Sequence, residues 1–255
     1  MTDTRRFTAW GIGLLAVVLG LVVIWGLPFQ FATARSDDLQ TQVKELTDRI
    51  QELEAKLACL TKDGDNVIFD KCNVYIRSGS RQTDGAVNGL GNLIIGYNET
   101  SSENIKRTGS HNLVLGPEHA YTSFGGLVAG RENTISAPYA SVTGGRLNTA
   151  SGFAASVSGG SVNTASKDFT SVSGGKSNEA KGLNASISGG TSNTAQGDFA
   201  SVTGGSDNAA DGFAASISGG SGNRANGNYT SISGGKRRDA IEQDNWRGGN
   251  LLEKN

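Results

Sequence analysis

The chain is predicted to be an all-β parallel β-solenoid of 14–15-residue coils, carried behind an N-terminal transmembrane helix and a coiled-coil stalk. Three observations predict this. The motif S-V/I-S/T-G-G recurs at Ser141, Ser156, Ser171, Ser186, Ser201, Ser216 and Ser231, every 15 residues. Residues 9–31 form an apolar run of 23 residues without a charge. Between positions 39 and 60 the apolar residues alternate at spacings of 4 and 3.

The repeat carries the most information. Asparagine stands seven residues after each of the first six serines, at Asn148, Asn163, Asn178, Asn193, Asn208 and Asn223. Alanine follows at Ala150, Ala165, Ala180, Ala195, Ala210 and Ala225, and glycine closes most rungs, with Lys167 the exception. Several columns held in phase identify a repeat architecture, and a period this short suits one solenoid coil rather than a helix pair. S-V-S supplies a short strand with its Val or Ile on one side and its hydroxyls on the other. Gly-Gly makes the corner, the Asn column is expected to form a ladder between stacked rungs, and N-x-A gives a second short strand. Looser rungs precede these at Gly91–Gly96, His111–Gly116 and Gly126–Gly130. The wider interval between the first two implies extra residues near Glu99–Arg107, expected as a projecting loop. Ten rungs at about 4.8 Å each make a rod of roughly 45 Å.

A second periodicity lies inside the first. Tyr139, Phe169, Phe199 and Tyr229 precede their serine by two residues, whereas Phe153, Leu183 and Phe213 precede theirs by three. The true unit is therefore a 30-residue pair. Because adjacent strand positions face opposite sides, alternate rungs are expected to send this side chain to different faces, with a bulge that restores one direction as the competing reading.

Composition agrees with a repeat rod. The 255 residues include 37 Gly and only 7% aromatics, too little for a large conventional core. A net charge of −1 supplies no field toward nucleic acid. Between Tyr139 and Gly235, five basic side chains (Arg146, Lys167, Lys176, Lys181, Arg224) balance five acidic ones (Asp168, Glu179, Asp198, Asp207, Asp211). No nucleic-acid footprint results.

Residues 9–31 are long enough to span a bilayer, with Trp10 and Trp25 near the two interfaces and Arg5 and Arg6 on the N-terminal side. The positive-inside rule keeps residues 1–8 in the cytoplasm and exports the rest as a cell-envelope ectodomain. An uncleaved anchor is preferred because the run exceeds a usual signal-peptide core. The alternative is secretion after cleavage at Ala32-Thr33-Ala34.

Residues 36–61 are expected to form the stalk. Val43, Ile50 and Leu57 take heptad position a, while Leu39, Leu46, Leu53 and Leu60 take d. β-branched residues at a with Leu at d favour two strands. Arg49-Ile50-Gln51-Glu52-Leu53-Glu54, in contrast, resembles a pattern of three-stranded coiled coils, in which Arg49 lies along the Ile50–Leu53 seam and pairs with Glu54 of a neighbour. Residues 62–90 are read as linker and N-terminal cap, 91–235 as the solenoid head, and 236–255 as a C-terminal cap containing Trp246. Cys59 and Cys72 are expected to be oxidised outside the cytoplasm. An intrachain disulfide is preferred, an interchain link comes second and free thiols third.

The motif S-V-S-G-G-x-x-N-x-A-x-G, with the earlier N-L-I-I-G and N-L-V-L-G rungs, resembles the YadA-like head repeats of trimeric autotransporter adhesins. The resemblance covers residues 91–235. It implies a left-handed parallel β-roll, three chains side by side, and adhesion to a surface ligand such as a glycan or matrix protein. The thin core of each coil also favours a homotrimer. Here the later period is 15 rather than 14, Gly-Gly replaces the Ile-Gly corner, and residues 236–255 contain no run of membrane strands. The expected order is anchor, stalk, head.

No catalytic, cofactor or metal site is expected. Gly175-Lys176-Ser177 lacks the first glycine of a P-loop, with Thr170 in its place. Asp198, Asp207 and Asp211 are too scattered for a calcium repeat. His111 and His119, the only histidines, lack clustered partners and are read as loop residues. Two functions compete with a surface fibre: ice or crystalline-surface binding through the Ser-x-Ser/Thr columns, and polysaccharide cleavage, for which paired acids are missing.

Overall fold

The computed structural model describes residues 36–100, 105–244 and 246–248. The predicted membrane segment at 9–31 lies outside them. Among the described residues, no helix is long and apolar enough to cross a membrane. The chain divides into two units, one ending at Val74 and the other beginning at Tyr75.

In the first unit, residues 36–56 form helix α1. Three i,i+4 ion pairs run along it, Lys44–Asp48 at 3.0 Å, Glu45–Arg49 at 3.4 Å and Glu52–Lys56 at 2.5 Å. Exposed pairs of this kind contribute only a few tenths of a kcal/mol each, so they do not hold a lone helix together. The helix stops at residue 56, short of the stalk boundary expected at 61. Leu60, predicted as the last d position, instead opens strand β1 (Leu60–Asp63), which pairs antiparallel with β2 (Asn66–Phe69) in the register Leu60↔Phe69. Gly64, with φ 56°, takes the positive-φ position in the two-residue turn. Cys59 and Cys72 close the base of this hairpin as an intrachain disulfide with Cα atoms 6.0 Å apart.

The second unit is a parallel β-solenoid. Each coil contributes one strand to an 11-stranded sheet and, in most coils, one to a 9-stranded sheet. The first sheet runs from Leu93–Ile95 through the S-V/I pairs to Trp246–Arg247, and the second from Ala120–Tyr121 to Asp239–Ala240. Every pairing is parallel, and in the regular region like pairs with like: Ser156↔Ser171, Val157↔Val172, Ala165↔Ala180. The core is correspondingly narrow. Val or Ile from the first sheet meets Ala from the second, and a third buried file (Ala155, Thr170, Ala185, Ala200) closes the coil. In the shorter N-terminal coils Tyr121 and Ile135 occupy the alanine column, larger side chains filling the space.

Two boundaries move. The described part of the predicted C-terminal cap continues the solenoid: Ala240 lies in the alanine column and Trp246 pairs with Ser231 in the serine column. Of the predicted 62–90 linker and cap, the hairpin belongs to the first unit. In the second unit Asn88 N–H donates to Ser110 Oγ at 3.0 Å and Gly89 N–H to the Thr108 carbonyl at 3.0 Å. At the wide interval, Arg107 donates to the carbonyls of Asn98 (2.6 Å), Glu99 (2.5 Å) and His119 (3.1 Å), fastening the base of the extra residues to the coil.

Candidate functional site

Two features stand out on the solenoid: a buried polar ladder that sets its geometry, and an exposed aromatic ladder on its surface.

The asparagine column is fully buried. Each residue makes three bonds of one kind, as Asn178 illustrates. Its Oδ1 accepts the backbone N–H of Asn193 in the next coil at 3.0 Å. Its Nδ2 donates to Gly174 O in its own coil at 2.9 Å and to Gly190 O in the next at 3.0 Å. The pattern repeats at Asn148, Asn163, Asn193, Asn208 and Asn223. The ladder therefore ties side chain to backbone rather than amide to amide. An amide suits the site, because it supplies one acceptor and two donors from one small group. The second glycine of each corner has positive φ, as at Gly160 (φ 83°), where a Cβ would press into the Gly175 carbonyl. The first, Gly159, has open space around it.

The column reaches further in both directions than its asparagines. Asn133 belongs to it, donating to Ala129 O at 2.7 Å and Gly145 O at 3.0 Å. So does His119, a loop residue as expected, but one fully buried in the ladder. Asn133 N–H donates to its Nδ1 at 3.2 Å, so the proton resides on Nε2, 2.9 Å from Leu115 O. Burial, reinforced by the positive charge of Arg107, lowers its pKa below the ordinary 6.5. His119 lies 14 residues before Asn133, the spacing of the shorter coils, and that offset is the signal that could have exposed it. At the other end the backbone N–H of Arg238 bonds Asn223 Oδ1 at 3.0 Å. His111 is likewise occupied, accepting from Ser78 N–H at 3.1 Å and bonding the Thr83 carbonyl at 3.1 Å.

The alternating large side chains do not go to two faces. Phe124, Tyr139, Phe153 and Phe169 form one continuous file with ring centroids 5.4, 5.5 and 5.5 Å apart, edge to face. Phe199, Phe213 and Tyr229 form another with spacings of 5.5 and 5.4 Å. Leu183 occupies the intervening rung. The two-face expectation fails because these residues sit on a turn, not a strand. The second turn position is left-handed in every rung, at Tyr139 (φ 59°), Ala154 (φ 51°), Phe169 (φ 58°), Asn184 (φ 56°), Phe199 (φ 60°), Ala214 (φ 52°) and Tyr229 (φ 58°). Alternation of sides does not apply to such backbone. Where the ring occupies the first turn position, the next coil caps its N–H: Phe153 N–H donates to Asp168 Oδ1 at 2.9 Å, Leu183 to Asp198 Oδ1 at 2.8 Å, Phe213 to Asn228 Oδ1 at 3.0 Å. One coil gives the ring first and the next gives the cap and then the ring, which accounts for the 30-residue unit.

The stalk residues are exposed. Leu39, Val43, Leu46, Ile50 and Leu53 on α1, and Leu57 just past its end, are 52–61% accessible. Arg49, expected beside Glu54 of a neighbour, pairs with Glu45 of its own helix. Ile50, Leu53, Glu54 and Leu57 line an open cleft with Ala58 and Leu60.

The fold and these columns define a β-solenoid repeat protein. No protein-family model matches the chain, and no curated protein shows significant similarity to it.

Proposed function

We propose that this chain is a self-assembling envelope rod: residues 9–31 anchor it, α1 joins two further copies in a parallel coiled coil, and the solenoid is presented as a head for surface contact. The observation that carries the reading is the a/d stripe from Leu39 to Leu57, each member more than half exposed. Six large apolar side chains on one narrow stripe are left uncovered by the described residues, and a stripe confined to a and d is the width that a facing helix covers. A YadA-like arrangement of three chains and the thin solenoid core support the trimer over the dimer that the β-branched a positions alone favour. The test is the solution mass of the full chain in detergent, compared with its Ile50→Asp variant. A trimer that dissociates on substitution is expected, whereas a monomeric unsubstituted chain overturns the proposal.

Ice or crystalline-surface binding is the second reading. It draws on the exposed hydroxyl file Thr143, Ser158, Ser173, Ser188 and Thr203, one per coil. Two hydroxyls of this sheet are already engaged within the chain, Thr143 Oγ1 donating to Ser158 O at 2.9 Å and Ser216 Oγ to Ser231 Oγ at 3.1 Å. That weakens the match to a lattice. Thermal hysteresis would favour it.

A further inference from the structure

We infer that the aromatic ladder from Phe124 to Tyr229 is the face through which the solenoids of separate copies of this chain pack together, parallel and in register. The inference deepens the self-assembly reading by assigning a surface of the head, and it rests on that reading for the parallel orientation.

Area is the first argument. The seven rungs from Tyr139 to Tyr229 leave their large side chains 38–54% exposed. With about 150–250 Å² on each aromatic side chain, the strip presents on the order of 600–700 Å² of apolar surface. That is at or above the largest patch of about 300–600 Å² on a typical monomer. It approaches the roughly 800 Å² that each partner brings to a standard interface.

Period is the second. A large apolar side chain recurs once per coil, a ring in all but the Leu183 rung, at centroid spacings of 5.4–5.5 Å where rings are neighbours. Only a straight partner with the same rise meets every ring, and a second copy has that rise by construction. Ring geometry is the third. Interplanar angles of 66–88° turn each ring's edge into its neighbour's face, so the strip is a knobbed ridge without a row of free ring faces. A sugar chain stacks on free faces, whereas a ridge of this shape interlocks with its like. The ladder also ends inside the solenoid: the corresponding turn of the last coil carries Gln243 and Asp244, which confines the contact to the rungs before it.

Under a rotation axis parallel to the rod, each ring meets its own counterpart. The full chain in detergent, with Phe199→Cys added to the native Cys59–Cys72 disulfide, is therefore expected to form a reductant-sensitive covalent dimer on mild oxidation. Thr191→Cys, half a coil away, should cross-link at least tenfold less. Adding Phe169→Glu to the Phe199→Cys chain should cut its yield at least tenfold while circular dichroism stays unchanged. Mixing Tyr139→Cys chains with Tyr229→Cys chains should give no mixed dimer, since only antiparallel copies bring those positions together. An oligomer by mass whose Phe199→Cys does not cross-link overturns the ladder assignment and leaves the stalk reading standing. Equal cross-linking at Thr191→Cys, or tyrosine fluorescence changed by a soluble β-linked glycan with no Phe199→Cys cross-link, also overturns it. A monomeric chain overturns both.

Discussion

Asn178 lies midway along the buried ladder, and its replacement by alanine removes three hydrogen bonds at once. The partners do not suffer equally. Gly190 O keeps a second donor, the Lys176 N–H at 2.9 Å. Asn193 N–H and Gly174 O have no other partner among the bonds described above. Leaving a buried polar group unpaired costs about 1–3 kcal/mol, which is the loss predicted from the buried Asn193 N–H, with a smaller addition from the part-buried Gly174 O. Asn178→Asp should be at least as damaging, since a carboxylate retains the acceptor but aims its second oxygen at two carbonyls. Stability in a solenoid is a sum of coil and interface contributions, so the damage should concentrate between the coils on either side. Urea unfolding followed by circular dichroism measures the loss, and amide exchange of Asn193 reports its location. An Asn178→Ala chain within about 0.5 kcal/mol of the parent, with Asn193 still protected, would show that the ladder does not hold the coils together.

His119 should make the N-terminal coils acid-sensitive. Its folded pKa is depressed, so the neutral ring's contribution is complete above the unfolded value of 6.5 and is lost as pH falls below it. Once Nδ1 carries a proton, it opposes the N–H of Asn133. Exchange of amides between residues 113 and 135 should therefore quicken on acidification beyond the intrinsic pH trend, and His119→Asn should abolish that extra dependence. The two corner glycines should behave oppositely. Gly160→Ala should cost at least about 1 kcal/mol, since an L residue resists its positive φ and its Cβ has no room, while Gly159→Ala should change unfolding little. Equal effects at the two would remove the reason for the Gly-Gly pair.

What was legible in the sequence was whatever repeats with one meaning per column. The Val/Ile and Ala files are inward, and the parallel register follows from identical spacing. The aromatic alternation misled because extended backbone was assumed through a corner where Tyr139, Phe169 and Phe199 adopt positive φ, a conformation that such residues do not advertise. His119 was hidden by a one-residue change of period together with a change of residue type, although imidazole offers the same acceptor and donor pattern as an amide with one donor fewer. Residues 236–248 were hidden because Arg238 stands in the asparagine column and Trp246 in the serine column. The backbone bonds of the coil persist after the side-chain code has lapsed.

The paired corner has a consequence for how such a rod can change length. Removing a single coil leaves the Val, Asn and Ala files aligned, because every coil offers them identically. At the corner it sets two coils of the same type against each other, so that Phe153 N–H, for example, no longer meets the carboxylate of Asp168. Removing two coils restores every bond. Thirty residues, not fifteen, is therefore the quantum in which this solenoid can be lengthened or shortened without disturbing its surface, as a brick wall in alternating courses is extended by pairs.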